Sequence, residues 1–164
     1  MRCLNIGETI WDRLFYFQGD MMKVLFDLTS LADHLSGMER FAMNVSFTYI
    51  LKNKQNQYVL LFKDHIEPLF SKVIEQDNIM IEIIPAYNKL LFAQFILPLH
   101  VAKYKVDYYL FLAFPAPFFL FKKNAISAIH DMGCWECPQT MKRLAVLYYR
   151  ILYRKAASGG MPSS

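Results

Sequence analysis

The chain has 164 residues and a net charge of +4, with 55% hydrophobic and 20% charged residues. This length suffices for one domain with a hydrophobic core, and the composition excludes an intrinsically disordered chain. Lys, Asp, His or Pro interrupts the longest apolar runs well before the roughly 18 residues that a membrane-spanning helix requires. We therefore expect a soluble protein.

Residues 1–21 differ in pattern from the chain that follows. They lack the basic start, continuous apolar centre and small-residue cleavage site of a signal peptide. Because the pair Met21-Met22 stands directly before a strong strand pattern, we interpret residues 1–21 as an extension and place the domain at residues 22–158. Residues 159–164 are small and polar, which predicts a disordered or truncated tail.

From Lys23 onward, short apolar runs alternate with stretches of helical spacing. The runs predict five strands: Val24–Phe26, Tyr58–Phe62, Ile79–Ile84, Val106–Leu110 and Ala125–Ile129. The helical patterns cover Met38–Leu51, His65–Gln76, Tyr87–Tyr104 with a bend at Pro98, and Gln139–Ala157.

This alternation predicts an α/β fold, a Rossmann-like parallel sheet with helices on both faces. Ligands of open α/β sheets bind at the edge where the strands end. Residues 27–37 and 130–137 follow predicted strands, so we expect both segments at that edge.

The last predicted helix carries basic residues with tyrosines between them. Our first interpretation is a solvated helix face whose apolar residues pack inside. Attraction to an anionic membrane surface comes second, and nucleic-acid binding comes last. The basic residues are Lys142, Arg143, Arg150, Arg154 and Lys155, the tyrosines are Tyr148, Tyr149 and Tyr153, and the apolar residues are Leu144, Leu147, Ile151 and Leu152.

The odd number of cysteines, three, is not typical of a secreted domain stabilised by disulfides. Cys134 and Cys137 have the C-x-x-C spacing of a redox or zinc site, and Cys3 stands alone. A structural zinc ion needs four ligands, and only His130 lies close in sequence. We expect reduced thiols, no metal and a cytoplasmic location.

Two short segments could carry chemistry. Gly37 stands directly before a predicted helix, where a glycine lets backbone approach a ligand and free N–H groups favour an anion. Alternatively Gly37 permits a tight turn, with Glu39 and Arg40 solvated. His130 and Asp131 end a predicted strand, where a histidine can hydrogen-bond a ligand near neutral pH. Alternatively His130 is a core residue bonded to backbone and Asp131 caps a turn.

Together these segments resemble a known family. Lys23–Asp27, Ser36–Phe41 and Ala128–Met132 are similar, in this order, to segments of the N-terminal domain of family-4 glycosyltransferases. The Arg- and Tyr-rich helix over 141–158 is similar to the segment that follows the His-Asp pair in that family. The resemblance runs from about residue 22 to 158.

The resemblance implies two Rossmann-like domains facing across a cleft. It implies transfer of a sugar from a nucleotide-sugar donor, with retention at the anomeric carbon and no tightly bound cofactor or metal. In this chain Gly37 would approach the donor phosphates and His130 would reach the transferred sugar. Asp131 would be a catalytic neighbour of His130, and Arg40 a neighbour of the donor.

The resemblance also implies an acceptor-binding role in making a surface polysaccharide or a lipid-linked glycan. The apolar loop Phe111–Phe121 and the basic C-terminal helix would suit such an acceptor at the inner face of the membrane, and burial of the loop between domains explains its hydrophobicity equally well. We expect no nucleic acid as partner. Ser36 replaces a second glycine found in many relatives, and the family's donor-binding domain with its pair of glutamates is missing. We therefore expect the N-terminal half of an enzyme, inactive alone. The alternative is a non-catalytic α/β binding or regulatory domain.

Overall fold

A computed structural model describes residues 21–31, 35–85, 91–120 and 124–159 of the chain. Apart from Met21, the predicted N-terminal extension lies outside these ranges, and so does the predicted tail apart from Gly159. Within them, no helix has the length and hydropathy needed to cross a lipid bilayer.

The described residues contain a five-stranded sheet in the order β3-β2-β1-β4-β5. Every neighbouring pair of strands is parallel. The predicted parallel α/β sheet is thus confirmed, and its order matches five strands of the doubly wound order 3-2-1-4-5-6. The strands are β1 Lys23–Asp27, β2 Gln57–Lys63, β3 Ile79–Ile84, β4 Tyr108–Phe111 and β5 Ala125–Ser127.

Helices of several kinds connect the strands. The α-helices are α1 Gly37–Lys52, α2 Leu97–Ala102, α3 Gly133–Glu136 and α4 Arg143–Gly159. A π-helical segment over Phe92–Ile96 leads directly into α2, and 3-10 helices cover Pro68–Lys72 and Pro138–Thr140.

The sheet has a hydrophobic core on each face, because successive side chains of a strand point to opposite sides. Val24 and Phe26 pack on one face with α1 and the 3-10 helix that follows β2. Leu25 packs on the other face with the π segment and α2. The three residues are at most 1% exposed. Helices therefore cover both faces, as predicted.

The predicted helix His65–Gln76 is wrong. The chain leaves β2 through Asp64, whose positive φ of 63° stops the extended conformation, and forms only the 3-10 helix Pro68–Lys72 followed by turns. Phe70 and Val73 are buried in the core. Their i, i+3 spacing fits one 3-10 turn as well as an α-helix, which explains the error.

The other predicted boundaries shift in smaller ways. The helix predicted over Tyr87–Tyr104 is described from Leu91 and changes from π to α geometry at Leu97, beside Pro98. The predicted Gln139–Ala157 helix begins at Arg143, because Pro138 starts a separate 3-10 turn.

The inner side of α4 is not the predicted one. Leu152 is buried as expected, but Leu144 is 82% exposed, and Leu147 and Ile151 are exposed too. Val146 is buried instead. The expectation that Leu144, Leu147 and Ile151 pack inside is therefore wrong, whereas that for Leu152 is confirmed.

A polar cluster fastens α2 to the edge strand β3. The Glu82 carboxylate accepts hydrogen bonds from Tyr104 at 2.7 Å and Lys103 at 3.2 Å, and lies 2.5 Å from Nδ1 of His100. Burial acts to raise the pKa of Glu82, but these hydrogen bonds outweigh it and lower the pKa. The charged carboxylate therefore stabilises the folded state.

We expect Glu82→Gln to lower the unfolding free energy at pH 7 by about 1–2 kcal/mol. A depressed pKa contributes stability above the unfolded value near 4.5, and the contribution disappears as the pH falls through the folded value. Urea unfolding from pH 7 to pH 3 should therefore show the difference between wild type and variant shrinking. Glu75→Gln, at an exposed carboxylate, is the control. A difference independent of pH would contradict this account.

Candidate functional site

A cleft of about 370 Å³ opens where the strands end. Its volume lies in the range of small-molecule sites in proteins. The segments after β4 and β5, the start of α1 and one side of α4 all contribute to it. The lining residues are Met38, Ala113, Phe114, Pro115, Ala128, His130, Asp131, Gly133, Cys134, Thr140, Met141, Tyr149 and Tyr153.

His130 stands at this cleft with one ring nitrogen engaged by backbone. Nε2 lies 2.6 Å from the carbonyl oxygen of Leu112, at the end of β4. A carbonyl can only accept, so Nε2 carries the proton in the neutral ring and Nδ1 is left as an acceptor. Nδ1 has no partner among the described residues. His130 is therefore held by backbone and still able to accept a hydrogen bond.

Phe41 joins the two predicted segments. Its ring meets the His130 ring edge to face, with centroids 5.0 Å apart. Phe41 belongs to the first turn and a half of α1, which begins at Gly37. The glycine-led helix and the His-Asp pair, separated by about 90 residues in sequence, are thus adjacent in the fold.

The start of α1 already carries a negative charge. The backbone N–H of Ser36 donates to the Glu39 carboxylate at 2.6 Å, which places an anion at the positive end of the helix dipole. The Arg40 side chain turns back and donates from Nε to the carbonyl of Leu35 at 3.2 Å. Arg40 and Gly37 lie beside the cleft without lining it, whereas Met38 does line it.

Gly37 is not required by the fold. Its φ is not positive, and a Cβ built on it meets no atom within 4 Å among the described residues. The alternative that Gly37 serves a tight turn therefore loses its physical basis. The open space leaves room for a group that approaches the backbone closely.

Asp131 is engaged in a turn. Its Oδ1 accepts a hydrogen bond from the Gly133 N–H at 2.8 Å, just before α3. A Cβ on Gly133 would lie 3.1 Å from that same oxygen, so the turn and the glycine fit each other. This geometry agrees with the turn-capping alternative for Asp131, while the residue still lines the cleft.

Asp27 ends β1 at the same edge of the sheet. Its Oδ1 accepts from the backbone N–H of Thr29 at 3.1 Å and from its hydroxyl at 2.7 Å. Burial raises the pKa of the carboxyl, although both hydrogen bonds act to lower it. The second carboxylate oxygen has no partner among the described residues.

The C-x-x-C pair lies on α3 and just after it. Cys134 is buried at the cleft and Cys137 is exposed, and both are free thiols. Burial raises the pKa of the Cys134 thiol, which disfavours the reactive thiolate. The described residues contain no group of three or more His, Cys, Asp or Glu side chains that could share a metal ion.

Residues 113–120 form one wall of the cleft, which 113–115 line, and three side chains hold this stretch. Lys155 of α4 donates to the carbonyls of Pro117 at 3.1 Å and Leu120 at 2.7 Å, and also to that of Phe118. Burial lowers the pKa of Lys155. Ser127 of β5 accepts the N–H of Ala116 at 2.9 Å.

Gln94 is the third support of this wall. Its carbonyl accepts the N–H of Phe118 at 2.9 Å, and its amide donates to the Tyr148 hydroxyl at 2.5 Å. Gln94 is buried within the π-helical segment, and such segments recur at functional sites. One amide thus links the π segment, the wall and α4.

Sequence reasoning missed the aromatic side of the cleft. Tyr149 and Tyr153 line it from α4, where a basic and aromatic pattern had suggested a solvated face. Trp135 stacks on Tyr153 with ring centroids 5.7 Å apart. The i, i+4 spacing of the tyrosines was the available signal, since such residues share one helix face.

Comparison with known proteins gives no match: no family model, no curated protein and no solved structure is significantly similar to this chain. The resemblance to glycosyltransferases therefore depends on the short segments and on the geometry described above.

We expect Lys155→Met to lower the unfolding free energy by about 1–3 kcal/mol, because partly buried carbonyls lose their donor. Arg154→Met removes an equally long basic side chain from an exposed neighbouring position and serves as the control. Amide hydrogen exchange should rise at residues 116–120 in the Lys155 variant alone. Equal effects of the two substitutions would show that Lys155 does not hold the wall.

Proposed function

We propose that this domain is the acceptor-binding half of a retaining, nucleotide-sugar-dependent glycosyltransferase that acts on a glycan or lipid-linked acceptor. Surface polysaccharide synthesis at the cytoplasmic face of the membrane is the setting that we infer. The donor is a substrate, and no tightly bound cofactor or metal enters the proposal.

The observation that carries the proposal is the meeting of two distant segments at one cleft. The helix that begins at Gly37 and the pair His130-Asp131 were singled out separately, and the contact between Phe41 and His130 places them side by side. The strand order β3-β2-β1-β4-β5 supports the proposal, since ligands of such sheets bind where the order reverses.

The cleft has the chemistry of a sugar site. A sugar ring has an apolar C–H face and a polar rim, and the cleft combines tyrosine rings with hydrogen-bonding groups. Nδ1 of His130 would accept a hydroxyl of the transferred sugar. The open space at Gly37 would let donor phosphates approach the first N–H groups of α1, with the Glu39 carboxylate displaced.

One observation favours the alternative of a non-catalytic binding or regulatory domain. His130 donates to a backbone carbonyl and Asp131 accepts from a turn N–H, which gives both a structural task. Such a domain would bind its ligand without any close approach of phosphates to the backbone at Gly37. Substitutions at Gly37 and His130 separate the two functions.

We expect Gly37→Ala to weaken binding of nucleotide sugars about tenfold, because a methyl group occupies the space that the phosphates need. Stability should be unchanged or slightly higher, since alanine favours helix over glycine by up to about 1 kcal/mol. Titration of the active two-domain enzyme with UDP-, GDP- and dTDP-sugars, followed by heteronuclear NMR, measures the binding.

Asn44→Ala, at an exposed position two turns further along α1, is the matched control. Resonances of residues 37–41 and 130 should move together in wild type. Absence of such movement in the two-domain enzyme with every nucleotide sugar, or equal affinities of this enzyme and its Gly37→Ala variant, would reject a close approach of donor phosphates to Gly37 and favour the non-catalytic alternative.

In the active two-domain enzyme, we expect His130→Ala to reduce turnover at least about tenfold, or roughly 1.4 kcal/mol of transition-state stabilisation. His130→Gln is the sharper variant, because its amide can donate to Leu112 in place of Nε2 but offers nothing at the position of Nδ1. Turnover per folded molecule and melting temperature are measured on both.

A purely structural histidine gives a different pattern. The alanine variant would then melt at lower temperature, the glutamine variant would melt like wild type, and both would keep normal turnover. That result would remove His130 from the reaction.

A further inference from the structure

The outer face of α4 carries large apolar side chains in solvent. Leu144 is 82%, Leu147 57% and Ile151 41% exposed, and their i, i+3, i+7 spacing places them on one side of the helix. The opposite side carries Tyr149 and Tyr153, which line the cleft. Within the described part of the chain, the outer apolar stripe is thus left largely exposed.

Three exposed phenylalanines form a second apolar group, which meets α4 at Lys155. Phe119 is 48% and Phe95 53% exposed, and their rings stack with centroids 5.2 Å apart. Phe118 contacts Phe119 edge to face at 5.3 Å. Phe95 belongs to the π segment, whereas the other two lie at the tip of the cleft wall.

Lys155 connects the helix stripe to the phenylalanines. It lies one turn after Ile151 on the same side of α4, and its ammonium group is 5.4 Å from the centroid of the Phe118 ring. Lys155 also donates to the carbonyl of Leu120, and Gln94 accepts the N–H of Phe118, so both side chains hold this segment in place. We call Phe95, Phe118, Phe119, Leu144, Leu147 and Ile151 the outer surface.

The charges on and just before α4 have one sign. Every charged residue between positions 138 and 158 is basic. Lys142, Arg143 and Arg154 are exposed. A rigid apolar surface flanked by basic side chains matches an anionic lipid bilayer, where apolar groups enter the interface and cations meet the headgroups.

We propose that the outer surface docks on an anionic lipid bilayer, with Phe119 and Leu147 in the interfacial region and Arg143 and Arg154 at lipid phosphates. A second copy of the chain fits less well, because a symmetric interface would bring the two sets of basic residues together. Single-stranded nucleic acid fits less well too, since bases could stack on the three phenylalanines but would leave the exposed aliphatic side chains of α4 without a partner. The proposal does not depend on sugar transfer.

The experiment is co-sedimentation of the chain with vesicles of phosphatidylcholine alone and of phosphatidylcholine with phosphatidylglycerol. We expect partition into the anionic vesicles to fall about tenfold or more in Phe119→Ser/Leu147→Ser, since both side chains lose their apolar contact with lipid. Arg143→Gln/Arg154→Gln should lower it by roughly fivefold per residue.

Met80→Ser/Ile83→Ser is the matched control. These side chains are 51% and 47% exposed on β3, at the opposite edge of the sheet from β5. This variant should partition like wild type, and melting temperatures establish that all variants are folded. Equal losses in the control and the outer-surface variant would overturn the proposal. So would absence of partition, preference for an oligonucleotide, or a dimer in sedimentation velocity that Phe119→Ser/Leu147→Ser dissociates.

Discussion

The position of β1 between β2 and β4 determines the rest of the structure. β1 pairs in parallel on both sides, and its central residues are almost completely inaccessible to water. Its start is fixed on both sides as well, by hydrogen bonds from Met22 to Asn56 and from Lys23 to Asp107. After β1 the chain builds β2 and β3 on one side, then crosses to build β4 and β5 on the other. The segments that follow β1 and β4 therefore diverge, and the cleft opens at the edge where they separate.

Much of the fold could be predicted from the sequence, because buried parallel strands leave a clear pattern. The runs around Leu25 and Leu60 are apolar throughout, and the run around Ile81 is interrupted only by Glu82, so their strands were predicted within two residues of the observed ends. The segment around Phe70 was predicted wrongly because two core residues three positions apart fit a 3-10 turn and an α-helix equally well. On α4, leucines and tyrosines both recur at helical spacing, and the sequence does not tell which set faces the protein.

The sequence predicted only those site residues whose place follows from their position at the end of a strand. Gly37 and His130 follow strands, so their common edge could be inferred, and the ring contact through Phe41 agrees with it. The hydrogen-bond partners at the site could not be inferred from the sequence. His130 donates to Leu112 and Lys155 donates to Leu120, and both bonds join residues far apart in the chain. The position of the α4 tyrosines could not be predicted either. A tyrosine has an apolar ring and a polar hydroxyl, so it is stable both in solvent and in a cleft.

The strand order has a consequence for how the chain reaches this structure. The strands β1 to β3 are neighbours in sequence and can pair as soon as residue 84 has been synthesised. The other edge of β1 must wait for β4, and the bond between Lys23 and Asp107 spans 84 residues. Until then a short strand with an apolar centre presents unpaired N–H and C=O groups, which favours association with other chains. The centre of the finished sheet is thus the most vulnerable edge of the nascent one.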